Sequence, residues 1–182
     1  HLKMINEECF SNCTNLRSII FPIDCVLQII KKKAFYLTNI KKIILPSSVT
    51  CIEESAFSHC KDLETFIFPK ISKISSINVG TFSESGIISI TIPSYIKSLC
   101  SRSFSRCYSL QTVIFENDSK LETIGENAFS NTKIETITIP SNVITIEANA
   151  FFDCIFMKSI KFEKNTKINK IGNSAFFNNS FE

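Results

Sequence analysis

Val143-Ile144-Thr145-Ile146-Glu147-Ala148-Asn149-Ala150-Phe151-Phe152-Asp153-Cys154 decides how this chain is read, because its spacing recurs along the whole length. Its first phenylalanine is one of eight, Phe10, Phe35, Phe57, Phe82, Phe104, Phe129, Phe151 and Phe176, whose separations alternate between 25 and 22 residues. Two such steps make 47 residues, the spacing that also relates Cys13, Cys60, Cys107 and Cys154. A period of about 20–50 residues marks a solenoid, in which one small unit is repeated and stacked. No single coil of that length can bury its own apolar face, so each depends on its neighbours.

Aligned on the phenylalanines, the segments form columns with distinct physical roles. Five residues before each Phe stand Ile5, Ile30, Ile52, Ile77, Leu99, Ile124, Ile146 and Ile171. Eight before stand Leu2, Leu27, Val49, Ile74, Ile96, Leu121, Val143 and Ile168. Columns that stay large and apolar are expected to be interior, as is the Phe spine itself. The residue immediately before each Phe is small (Cys9, Ala34, Ala56, Thr81, Ser103, Ala128, Ala150, Ala175), which suits a tight bend where coils touch.

After each Phe comes a strand signature. Leu63-x-x-Phe66-x-Phe68 and Leu110-x-x-Val113-x-Phe115 stand for the longer segments, Ile40-x-x-Ile43-x-Leu45 and Ile134-x-x-Ile137-x-Ile139 for the shorter. Apolar positions alternating with polar ones have the period of a strand with one buried face. Pro22, Pro46, Pro69, Pro93 and Pro140 follow directly, where a missing N–H ends a ladder, and Glu116 and Glu163 take that place in two segments.

One short strand per repeat with the pattern L-x-x-L-x-L reads as a leucine-rich repeat. More narrowly, the chain resembles the BspA-like (Treponema-type) subclass, whose repeats run L-x-x-I-x-(I/F)-P-x-x-(V/L)-x-x-I-x-x-x-A-F-x-x-C. Leu63-Glu64-Thr65-Phe66-Ile67-Phe68-Pro69 matches the first part, Val143 to Cys154 the second, and every segment takes part. The expected fold is a right-handed leucine-rich-repeat solenoid of roughly seven and a half coils. A parallel β-sheet would line its concave face, with short extended or helical turns around each Ala-Phe on the convex face. Residues 1–182 read as one continuous domain without a linker. Leu2 already fills a column and Phe176 lacks its following strand, which suggests a fragment of a longer array or a processed chain.

With 20 basic and 17 acidic residues the charge is nearly balanced, and Lys31-Lys32-Lys33 does not extend into a stripe, so no nucleic-acid partner is expected. No apolar run is long enough to span a membrane.

Eight cysteines raise the question of disulfides or metal. Adjacent coils of a parallel stack lie about 4.8 Å apart, which puts equivalent cysteines two coils, about 9.6 Å, from each other. A disulfide needs Cα atoms within about 7 Å, so Cys13, Cys60, Cys107 and Cys154 cannot pair in register. Thr38, Ser85 and Thr132 fill the same column in the intervening coils, and a small side chain donating to a nearby carbonyl explains all seven. Cys9, Cys25, Cys51 and Cys100 are expected to be buried, inert thiols as well. His1 and His59 stand at no zinc-ligand spacing, and no catalytic or phosphate-binding motif occurs, so neither cofactor nor enzymatic activity is expected. Asn12-Cys13-Thr14, Asn117-Asp118-Ser119 and Asn178-Asn179-Ser180 fit the glycosylation triplet, the first of them expected to be buried.

The outward strand positions are the candidate binding surface. One row runs Ser18, Lys42, Thr65, Ser89, Thr112, Thr136 and Ser159, and the next Ile20, Ile44, Ile67, Thr91, Ile114, Thr138 and Lys161. Together they suggest a shallow concave groove for a protein or glycan ligand. The resemblance implies a cell-surface or secreted antigen that acts in adhesion. Unpaired cysteines leave open an intracellular, cytoplasmic scaffold or regulatory subunit.

Overall fold

The computed structural model describes residues 2–181, so His1 lies outside the described residues. Two sets of parallel strands wind through it, and no helix forms among the described residues. The longer strands are those read from the sequence: β3 (Lys42–Ile44), β5 (Thr65–Ile67), β7 (Ser89–Ile92), β9 (Thr112–Phe115), β11 (Thr136–Ile139) and β13 (Ser159–Phe162). A second set, two residues each, ends on the apolar column five residues before each Phe. It comprises β1 (Met4–Ile5), β2 (Ile29–Ile30), β4 (Cys51–Ile52), β6 (Ser76–Ile77), β8 (Ser98–Leu99), β10 (Thr123–Ile124), β12 (Thr145–Ile146) and β14 (Lys170–Ile171).

Neither ladder is continuous, and the sequence explains both breaks. The longer strands pair only as β3–β5, β7–β9 and β11–β13. Across those junctions the return to the next Phe is short, Phe104 following Ile90 by 14 residues. Across the unpaired junctions it is longer, Phe82 following Phe66 by 16. Two extra residues in the loop displace the next strand out of ladder register. The short ladder divides between β4 and β6. At other junctions a backbone N–H donates to the strand-end carbonyl, as Cys100 does to Ile77, but here the Asn78 side-chain amide donates to the Ile52 carbonyl at 2.6 Å.

Between the ladders, the turn around each Phe is the most regular part of the molecule. The residues two before and two after every Phe have φ near +57°, from Glu8 (φ 55) and Asn12 (φ 61) to Ser174 (φ 54) and Asn178 (φ 57). This left-handed geometry aims their amides along the stack. At each of seven junctions the amides two before, at, and two after Phe donate to carbonyls of the next coil. Arg102, Phe104 and Arg106 thus reach Glu126, Ala128 and Ser130, each at 2.8 Å. Left-handed backbone costs a residue with a Cβ about 1–2 kcal/mol, and three cross-coil hydrogen bonds at about 1 kcal/mol each offset it. These segments are therefore runs of tight turns, with bonds such as that from the Cys107 amide to the Phe104 carbonyl, neither helical nor extended.

The phenylalanines stack through the centre. Successive rings lie 5.2–5.3 Å apart at six junctions and 5.8 Å apart between Phe57 and Phe82, with interplanar angles of 17° or less. Phe66 and Phe68 account for the wider gap, because Phe66 wedges edge-on against Phe57 at 5.2 Å and Phe82 at 4.7 Å. Phe35, Phe57, Phe82, Phe104, Phe129 and Phe151 are fully buried, whereas Phe10 and Phe176 are only half-buried at the two ends. Leu2 and Ile171, expected to be interior, are exposed, each lying in a coil that has a neighbour on one side only among the described residues.

The glutamates that replace proline have a physical role here. The Glu116 and Glu163 amides donate to Ile92 and Ile139. Their carboxylates accept from the amides of Ser94 at 2.9 Å and Ser141 at 2.8 Å. Proline could provide neither bond.

Candidate ligand-binding face and the thiol column

From β3 to β11 the long strands alternate between a buried column (Ile43, Phe66, Ile90, Val113, Ile137) and exposed neighbours, whereas in β13 Ser159 and Ile160 are half-buried and Lys161 and Phe162 exposed. Parallel register then sets the exposed side chains side by side, Lys42 beside Thr65, Ile44 beside Ile67, Ser89 beside Thr112, Thr91 beside Ile114. Thr136 and Thr138 lie beside Ser159 and Lys161 in the last pair. All twelve candidate residues from Ser18 to Thr138 are exposed. Ser18 and Ile20 belong to no strand, however, because the junction to β3 carries the longer return loop.

The apolar row is the unusual part. Ile20, Ile44, Ile67 and Ile114 are 89%, 57%, 43% and 53% exposed. Beside Ile20 and Ile44 a cavity of about 460 Å³ opens, lined also by Ser18, Phe21, Ile23 and Lys42. Burying a large aliphatic side chain yields about 1.5–3 kcal/mol, so a ligand laid along this row gains contact energy without strand rearrangement. Hydroxyls of Thr65, Ser89 and Thr112 alongside it supply donors and acceptors. Lys42 and Lys161 are the charged members of the two rows, and Glu135 and Lys158 form an exposed pair at 3.3 Å on the flank. Among the described residues no cluster of His, Cys, Asp and Glu could hold a metal ion.

Three members of the thiol column donate across coils. Cys60, Cys107 and Cys154 reach the carbonyls of Phe35, Phe82 and Phe129 at 3.0, 2.9 and 3.1 Å. Each also meets the hydroxyl of the preceding coil: Thr38 at 3.3 Å, Ser85 at 3.4 Å and Thr132 at 3.2 Å. Burial raises all three thiols, Cys107 to about 12. Burial of the others is corrected by the structure: Cys9 and Cys13 are exposed, and Cys25, Cys51 and Cys100 half-buried, all free. Asn12, in the triplet expected to be buried, is likewise exposed.

A thiol titration of the native protein should therefore show Cys9 and Cys13 reacting at once, and Cys60, Cys107 and Cys154 only after unfolding. Because burial raises their folded pKa, these thiols support folding fully below the ordinary thiol value of 9.0, and that support fades as pH rises above it, for Cys107 through about 12. A denaturation midpoint unchanged from pH 8 to pH 11 would contradict it.

His59 and Cys60 engage different partners. The thiol faces the interior, while His59 packs edge-on against Tyr36 and sits 3.3 Å from Glu84, which also pairs with Arg106. In the Lys31-Lys32-Lys33 run, Lys32 pairs with Glu54 at 3.0 Å and Lys33 with Glu8 at 3.4 Å. The hydrogen bond to Glu54 is the main cause that raises Lys32. Neighbouring carboxylates thus offset most of this basic run.

Stacked coils that join a two-residue strand, a Phe turn and a longer strand, repeated in parallel, define a leucine-rich-repeat solenoid. The family model for the BspA-type leucine-rich repeat region matches residues 1–98 and 75–182, and the chain belongs to that family. A leucine-rich repeat protein from Bacteroides ovatus superposes with a TM-score of 0.71 at 24% identity, covering 97% of this chain and 56% of that one. The pneumococcal vaccine antigen PcpA superposes with a TM-score of 0.62 at 25% identity, covering 90% of this chain and 36% of that one. The chain thus spans about half or less of the length of these structures. No curated protein sequence matches it. No helix of the described residues is long and apolar enough to cross a membrane.

Proposed function

We propose that this chain is a non-catalytic binding module of a cell-surface protein and holds a protein or glycan ligand across the concave face of its long strands. The observation that supports it is the exposed isoleucine row Ile20–Ile44–Ile67 running beside a row of hydroxyls. The kinship of the fold with a bacterial vaccine antigen supports the surface location. Replacing Ile44 and Ile67 together by Lys should reduce binding of host-cell or microbial surface extracts by at least tenfold. The melting temperature should stay within a few degrees, since both side chains are exposed. Undiminished binding by the folded double variant would place the site elsewhere.

The eight unpaired cysteines favour a second reading, an intracellular scaffold in a reducing compartment. Impermeant labelling of intact cells separates the two: a labelled chain supports the surface reading, an unlabelled one the scaffold.

A further inference from the structure

The loops that follow the long strands differ at one junction inside the stack. Ser94 and Ser141 hold the same place in their coils, each just after a strand-ending proline. Their amides are capped by a carboxylate of the following coil, Glu116 at 2.9 Å and Glu163 at 2.8 Å. The carbonyls of the same serines accept from the amides of Lys120 and Lys167, both at 2.9 Å. Ser47 stands 47 residues before Ser94, and the residue in the capping place is Pro69. Pro69 has no carboxylate, and Ile71 fills the place where Asp118 (φ 56) and Asn165 (φ 58) take the left-handed turn. A β-branched side chain resists that geometry. The loop from Pro69 to Lys73 therefore bends differently, and the Lys73 amide does not return to the Ser47 carbonyl. The Ser47 amide has no hydrogen-bond partner among the described residues.

An open cleft of about 770 Å³ lies at this place, lined among others by Gln28, Ser47, Ser48, Thr50, Lys70 and Lys73, and by no carboxylate. Neither lysine forms an ion pair among the described residues. The Ser48 Oγ is buried without a hydrogen-bond partner. Thr50 Oγ1 donates to the Gln28 carbonyl at 3.2 Å, which leaves its lone pairs free to accept. We propose that this cleft binds the carboxylate of an acidic saccharide, a uronic or sialic acid. The carboxylate takes the Ser47 amide, as Glu116 takes that of Ser94, and Lys70 and Lys73 supply the opposite charge. Ring hydroxyls meet Ser48, Thr50 and Gln28, while Ile71, 82% exposed, offers apolar surface to the C–H side of the ring. Hydroxyls, an amide and apolar surface together favour a sugar over an acidic peptide. Ile44 and Ile67 do not line the cleft, so the site is independent of the concave-face reading.

Titration of the nitrogen-labelled 182-residue chain with a hyaluronan tetrasaccharide and with sialyllactose, followed by amide NMR, tests it. At least one of them should shift the Ser47 amide saturably, and the one that does so identifies the acid. The amides of Ser94 and Ser141, already capped, should stay in place, and neutral chitotetraose and lactose should move none of the three. Lys70→Gln with Lys73→Gln should weaken binding by about tenfold or more, the size of one lost charge-assisted hydrogen bond. Pro69→Glu with Ile71→Asp, which rebuilds the cap of the other coils, should abolish binding without lowering the melting temperature. A Ser47 amide unmoved by both acidic saccharides, or moved as much by the neutral ones, overturns the proposal. So does undiminished binding by either double variant. A glutamate-rich peptide that binds there more tightly than both saccharides also overturns it, in favour of an acidic protein partner.

Discussion

Phe104→Ala is expected to lower the free energy of unfolding by roughly 3–5 kcal/mol, the usual range for truncating a buried Phe. Phe104 is fully buried and its ring lies 5.2 Å from Phe82 and 5.3 Å from Phe129, so removal opens a cavity bounded on both sides by aromatic faces. Those faces cannot close the gap, because each ring is held by its own coil, and each coil by three amides bonded to the next. In a linear array the loss falls on two interfaces at once, and everything beyond the weakened coil is coupled through them alone. Urea denaturation should show a lowered midpoint, with a second, shallower transition where the two halves uncouple. The same substitution at Phe10, half-buried in the first coil, should cost about half as much or less. Equal losses at the two positions would mean that the ring stack contributes nothing beyond local packing.

Gly86→Ala is expected to destabilise by about 1–3 kcal/mol or more, although it adds one methyl group. A Cβ built at Gly86 falls 2.0 Å from the carbonyl oxygen of Lys61 and 2.8 Å from its carbon. Both atoms are backbone of the preceding coil, and the Gly86 amide is itself bonded to the Cys60 carbonyl at 3.1 Å. No rotamer change relieves such a contact; the two coils must separate, which stretches the bond beside it. Thermal unfolding checks this: a melting temperature equal to or above that of the wild type would show that the coils are not this close. Asn39 and Lys133 fill the equivalent place in the other shorter coils, so the constraint is local to the junction between β5 and β7, where strand pairing is absent.

The scaffold was legible in the sequence because burial acts on every coil alike. The Phe spine, the columns five and eight residues before it and the outward rows all follow from period alone. Three things did not. Left-handed residues flanking each Phe are hidden because Glu8, Lys33, Leu37, Arg102 and Arg106 hold that geometry beside the expected Asn127, Asn149 and Gly80. Cross-coil hydrogen bonds select the conformation there, overriding the preference of the residue. Second, a ladder of two-residue strands is too short to leave an alternation. Third, Cys9, Cys13 and Leu2 are exposed in a coil that has a neighbour on one side only among the described residues, which no column of the repeat records. For the candidate face, the sequence placed the outward side chains from Ser18 to Thr138, but not the breaks in strand pairing between β5 and β7 and between β9 and β11 that divide the rows into pairs.

Amide hydrogen exchange resolved by residue tests the stacked solenoid most directly. Each turn amide is bonded to a coil 22 or 25 residues further along, so protection at Phe35, Phe57, Phe82, Phe104 and Phe129 exists only if the coils stack in this register. These five should exchange at rates near those of global unfolding, while the amide of Phe176, with no bonded partner among the described residues, should exchange much faster. Phe amides in the middle coils that exchange as fast as Phe176 would contradict the stacked register.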